Sequence, residues 1–154
     1  MTMKRRKERE FALQILFALE FNPEAQWIEL VERLDEKRKK YNTPFARELI
    51  KNCVTHLDEI DAYIKQQLLN WDYNRVAVVD KVLLRMTVAE FLFFETVPPE
   101  ASINEAIEIS KEYSTERSGK FINGILDAIL KKLKSEGKLR KTGRGALSHP
   151  QKEK

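Results

Sequence analysis

One cysteine, two histidines, five glycines and five prolines are all that this 154-residue chain holds of the residue types that build disulfide scaffolds, metal sites and phosphate loops. Cys53 alone cannot close an internal disulfide, so a reducing cytoplasm is the expected home. His56 and His149 stand in no ligand spacing of the HExxH kind, and no glycine-rich phosphate loop is present. No metal or cofactor is therefore expected. Cys53 and His56 lie three residues apart and form a conceivable nucleophile pair, but nothing in the sequence activates the thiol. An enzyme is not expected. The N-terminal apolar run from Phe11 to Leu19 is nine residues long and holds one polar residue, Gln14. A bilayer crossing takes about 20 apolar residues, so no membrane span is expected there.

What is present is charge and helix-forming sequence. Hydrophobic residues make up 42% and charged residues 34%, a balance that suits one compact helical domain. The formal charge is +4, unevenly spread: residues 1–9 carry +4, residues 131–154 carry +7, and the stretch between them carries −7. Basic ends on an acidic body point to a polyanion such as nucleic acid, and the acidic body to a basic protein partner. The bland reading of the C-terminal end, that its lysines keep the chain in solution, is the stronger one for that segment.

The stretch KRRKEREFALQILFALEF sets Lys4, Arg5, Arg6, Lys7 and Arg9 directly against the apolar run. A secretion signal has that layout, but Glu8 and Glu10 interrupt the basic part and no small-x-small cleavage site follows. A buried helix with an anion-binding start fits better, because free N–H groups at a helix start already favour anions.

Periodicity predicts helices over 5–21, 26–39, a bent or broken pair across 45–70, 79–95, and 117–134. Thr43-Pro44 reads as a helix start, Asp58 as the cap of the second half of the pair, and Pro98-Pro99 as a stop. Ser102 and Glu105 have capping-box spacing, placing a further helix start at Ser102. Asn123-Gly124 fits a hairpin turn, but the flanking apolar pairs are too short for strands, so a helix with an interior glycine is favoured. Such a glycine makes sense where another backbone comes close. About seven helices result, an all-α chain. Residues 1–136 form the helical domain, and the Gly, Lys and Pro content of 137–154 predicts a basic disordered tail.

Residues 101–130, ASINEAIEISKEYSTERSGKFINGILDAIL, resemble the transcription antitermination factor NusB family, which shows INEAVELAK and KFVNGVLD in that order. VDKVLLRMTVAEF resembles its VDRAILRLAVYEL, and FALQILF its ALQALY. The resemblance covers about residues 4–134. It implies two small helical bundles packed together, without enzymatic activity. It implies binding to the boxA element of single-stranded ribosomal RNA transcripts together with NusE, a small-subunit ribosomal protein, in the RNA polymerase antitermination complex. Some relatives self-associate, so a homodimer is a further expectation.

On this reading Lys4, Arg5, Arg6, Lys7 and Arg9 meet phosphates. Tyr113 and Phe121 offer stacking surfaces, and Arg117, Ser118 and Lys120 contact backbone or base edges. Phe121 also suits the core, since its spacing from Ile125 fits burial. The resemblance places Phe17 and Asp80 on the NusE face; Phe17 stands where the family has Tyr. Both have plainer readings, Phe17 as core and Asp80 as an exposed acid at a helix start. The competing function is a protein-interaction module with only non-specific RNA affinity.

Overall fold

The structure, a computed structural model, describes residues 3–69 and 72–147; His149 and the rest of 148–154 lie outside them. The described residues contain eight α-helices and no strand. In chain order they are α1 (Met3–Glu20), α2 (Trp27–Glu32), α3 (Glu36–Lys39), α4 (Pro44–Thr55), α5 (Leu57–Gln66), α6 (Val78–Phe93), α7 (Pro99–Tyr113) and α8 (Glu116–Ser135). Single 3-10 turns cover Tyr73–Arg75 and Gly143–Leu147.

The centre is α6, whose Val82, Leu83, Leu84, Met86, Val88, Ala89 and Phe91 are all buried. A helix that is apolar nearly all round has to be covered from several sides. Helices α1, α4 and α5 pack on it as one group, and α7 and α8 as the other. The two bundles therefore share α6. At Gly119, where α8 faces α7, a Cβ would lie 3.6 Å from Ile107 and from Ser110, an ordinary contact. Gly124, expected at a close approach, faces open space instead.

Local signals explain most boundaries. Thr43 caps α4 by accepting from the Ala46 N–H at 3.4 Å, and Pro44 is its first residue. The helix expected over 26–39 breaks in two because Asp35 accepts from the Arg38 N–H at 3.0 Å and starts α3 anew. The pair across 45–70 breaks at His56, which is the residue before α5; Asp58 lies in the first turn rather than at the cap.

The start of α7 corrects the capping-box expectation. Pro98 precedes the helix and Pro99 is its first residue, so the two prolines open α7 rather than stop α6. Proline suits a first helical position because its missing N–H has no partner there anyway. Ser102 and Glu105 are consequently inside the helix and buried.

The boundary expected at 137 is also revised. Gly137, with φ +68°, turns the chain, and residues 138–147 fold back on the end of α6. The Thr142 N–H donates to the Glu95 carbonyl at 2.9 Å. Lys141 Nζ donates to the carbonyls of Glu90 at 2.9 Å and Phe94 at 2.7 Å. A cation is favoured at a helix C-terminus, and here it adds a second bond to carbonyls that already accept from the Phe94 and Val97 N–H groups.

Candidate nucleic-acid interface

The basic start of α1 divides by helical face. Lys4 and Lys7 are exposed. Arg5 is half-buried, with its guanidinium 4.0 Å above the Phe45 ring and 3.5 Å from Glu8. Arg6 donates Nε and Nη2 to the Glu105 carboxylate at 2.8 and 3.1 Å. Arg9 is 2% exposed and donates twice to Glu90, both at 2.8 Å. Burial works against the Arg9 charge, but the Glu90 carboxylate outweighs it and holds the pKa above its ordinary value. Glu90 also accepts from the Ser102 hydroxyl at 2.6 Å.

The five cations expected to meet phosphates therefore differ in what else they hold. Arg9 ties α1 to α6, and Arg6 ties α1 to α7. The signal was Glu90, a lone acid in the otherwise apolar TVAEFLFF, which requires a buried cation.

Lys7 and Tyr113 line one cleft of about 290 Å³. Its other walls include Gln14 of α1 and Lys37, Arg38, Lys40 and Tyr41 at α3. Gln14 Nε2 donates to the Tyr113 hydroxyl at 3.5 Å. Burial, then the nearby Glu10 carboxylate, raises the Tyr113 pKa, so the phenol stays neutral. Sequence reasoning missed the α3 residues. The run EKRKKY, four cations ending on an aromatic, was the available signal, but it reads equally as a solvated helix face.

Arg117, Ser118 and Phe121 line a different cleft of about 500 Å³, together with Arg75 and Asp80. Thr115 caps α8 by accepting from the Ser118 N–H at 3.2 Å. Ser118 is buried; its hydroxyl lies 2.8 Å from that of Ser114 and donates to Asp80 Oδ2 at 2.9 Å. It is not displayed for reading base edges. Asp80 is buried as well, against the plainer reading of an exposed acid, and its Oδ1 has no partner. Phe121 is half-buried and packs against the core; Lys120 and Arg117 are exposed. The structure thus joins Asp80, expected on the protein-partner face, to residues expected on the RNA face, and separates the latter from Tyr113. Phe17 is not core: it is 36% exposed and its ring lies 5.1 Å from that of the open Phe21.

The Cys53–His56 pair is not assembled for chemistry. Cys53 is buried, and burial pushes its thiol well above the ordinary range, away from the thiolate. His56 stacks on Phe93 at 4.3 Å and faces Glu59. Among the described residues no cluster of His, Cys, Asp and Glu could hold a metal ion, and no helix is long and apolar enough to cross a membrane.

The model of the NusB family matches residues 6–131. The transcription antitermination protein NusB of Chloroherpeton thalassium is 41% identical over 99% of this chain and 73% of that protein. The protein of the same name from Salinibacter ruber is 41% identical over 93% of this chain and 91% of its own length. The solved structure of T. maritima NusB matches with a TM-score of 0.73 and 39% identity, covering 86% of this chain and 94% of that one. NusB in a crystal structure of the antitermination factors NusB and NusE with dsRNA matches at a TM-score of 0.70 and 28% identity, covering 86% and 99%. The chain belongs to the NusB family, a family of transcription antitermination proteins and not of enzymes.

Proposed function

We propose that this protein binds boxA-containing single-stranded RNA of ribosomal transcripts together with NusE, and acts with it in the cytoplasm as part of the RNA polymerase antitermination complex. The observation that carries the reading is the cleft beside α1, where Lys7, Lys37, Arg38 and Lys40 stand with the rings of Tyr41 and Tyr113. Single-stranded RNA needs both parts: cations to neutralise phosphates and release counterions, and aromatic faces on which unstacked bases lie. A relative solved with NusE and dsRNA supports NusE and an RNA as the two partners.

The protein-partner surface follows from two further features. Phe17 and Phe21 leave a pair of rings open to solvent, and Asp80 lines one cleft with Arg75 and Arg117 at the start of α8. A partner protein would find an apolar pair at Phe17 and Phe21, while the buried Asp80 would act through the cleft that it lines. Lys4 and Arg5 add positive charge at the start of α1, and Arg117 and Lys120 at the start of α8.

Fluorescence anisotropy with labelled boxA RNA and a scrambled RNA, each with and without NusE, tests this reading. Binding should favour boxA, tighten with NusE and weaken steeply with salt. Equal affinity for both RNAs, unaltered by NusE, would leave a protein-interaction module with non-specific RNA affinity.

A further inference from the structure

The C-terminal segment, beyond the residues that the family model matches, reaches a third cleft. This cleft, about 600 Å³, is lined by Arg5 and Arg9 of α1, by Phe45, Phe94 and Ala101, and by Arg144. Arg5 and Arg9 are four residues apart and share a face of α1. Lys7, midway between them, faces the other way, toward the cleft already described. The two clefts therefore flank the same helix start from opposite sides.

We propose that this third cleft is a phosphate-binding site, with Arg144 as a ligand supplied by the C-terminal segment. Three observations meet there. No carboxylate lines it, although three guanidinium groups do. Arg9 is 2% exposed and uses Nε and Nη2 on Glu90, while its Nη1 is buried without a partner. A buried, charged donor left unpaired is costly, so an incoming acceptor there gains more than a surface contact would. Finally, Arg144 is held in position rather than trailing. Lys141 and Thr142 bond to the end of α6, and Gly145 lies so close to the Glu95 carbonyl that a side chain there would collide with it.

A tetrahedral oxyanion suits planar, forked donors, and guanidinium groups bind it through paired N–H bonds. That the phosphate belongs to an RNA backbone rests on the function proposed above; inorganic phosphate carries the same chemistry. RNA lying over the start of α1 would then be held on both sides, by tyrosines and lysines on one and by arginines on the other.

Two measurements on the full chain test the site. The first titrates inorganic phosphate into arginine-labelled protein and follows the side-chain N–H resonances by NMR, against chloride at matched ionic strength. Arg9 and Arg144 signals should shift and saturate with phosphate alone. Arg144→Ala should weaken that binding about tenfold, the worth of one charge-assisted contact, and Arg38→Ala in the other cleft should not. Shifts that track ionic strength, or equal phosphate binding by wild type and Arg144→Ala, would overturn the site. The second titrates boxA RNA against salt. Arg144→Ala should make the slope shallower by about 0.7, as for one lost single-strand phosphate contact. Saturable phosphate binding by a protein that binds no RNA would keep the site and sink the RNA-binding function. RNA binding with an unaltered slope in Arg144→Ala would overturn the site as a holder of RNA phosphate. Thermal melts of Arg144→Ala and Arg144→Gln confirm that both variants fold.

Discussion

Arg9 and Lys7 are alike in the sequence, two cations in one basic run, yet two residues of helix separate a core ion pair from an open charge. Removing the Arg9 side chain leaves the Glu90 carboxylate in a buried site with the Ser102 hydroxyl but without its cation. Breaking such a pair by deleting one partner costs about 3–5 kcal/mol. Arg9→Ala is therefore expected to lose that much in urea unfolding, whatever its effect on RNA. Lys7 is exposed, 3.5 Å from Glu10, and Lys7→Ala should unfold in urea close to wild type. Its RNA affinity should fall. A Lys7→Ala protein as unstable as Arg9→Ala would show that Lys7 is part of the fold. The same distinction governs Asp80. Because it is buried beside Ser118, Asp80→Asn probes the partner surface, whereas a lysine there would force an unpaired cation inside.

Among the elements, the C-terminal segment depends most visibly on one contact. Lys141 enters the end of α6, and burial lowers its pKa to about 8 even with Glu90, Glu95 and Glu100 nearby. The unfolded chain keeps that proton to about pH 10.4. Between these values the unfolded state binds more protons than the folded one, so stability rises with pH through this window. Below about pH 8 both states are protonated and the contribution is flat. The comparison with Lys141→Met isolates this group: the melting temperature of wild type, relative to the variant, should climb from pH 8 to pH 10.4. A flat difference would mean that the Glu90 and Phe94 carbonyls hold the ammonium charged throughout.

At the scale of the whole molecule, Arg85 joins the first bundle to the shared helix. Its guanidinium donates to Asp61 of α5 at 2.8 and 3.0 Å and to Glu20 at the end of α1 at 2.7 Å. Tyr73 donates its hydroxyl to the same Asp61 at 2.8 Å. Burial opposes the Arg85 charge, but the two carboxylates more than compensate and raise its pKa. Arg85→Ala should cost about 3 kcal/mol, since two partly buried carboxylates lose their cation together. Because α6 belongs to both bundles, wild type should still unfold in one transition, with calorimetric and van't Hoff enthalpies equal. Two resolved transitions in wild type would mean that the bundles are independent.

Much of this was legible without coordinates. Helix-forming composition, apolar spacing and the Thr43-Pro44 start determine an all-α chain with α1, α4, α6 and α8 near their expected places, because helix hydrogen bonds and caps are local. The family motifs carried the antitermination reading for the same reason: they are contiguous words. Only the tertiary structure decided which charges work and which hold the fold. Arg6, Arg9, Ser102, Glu105 and Asp80 all read as surface or cap residues, and each found a partner far along the chain. Lys37, Arg38 and Arg144 read as solubilising charge until folding brought them to clefts beside α1. The physical reason is that a side chain's local propensity depends on its neighbours in sequence, whereas its charge acts on whatever packing places a few ångströms away.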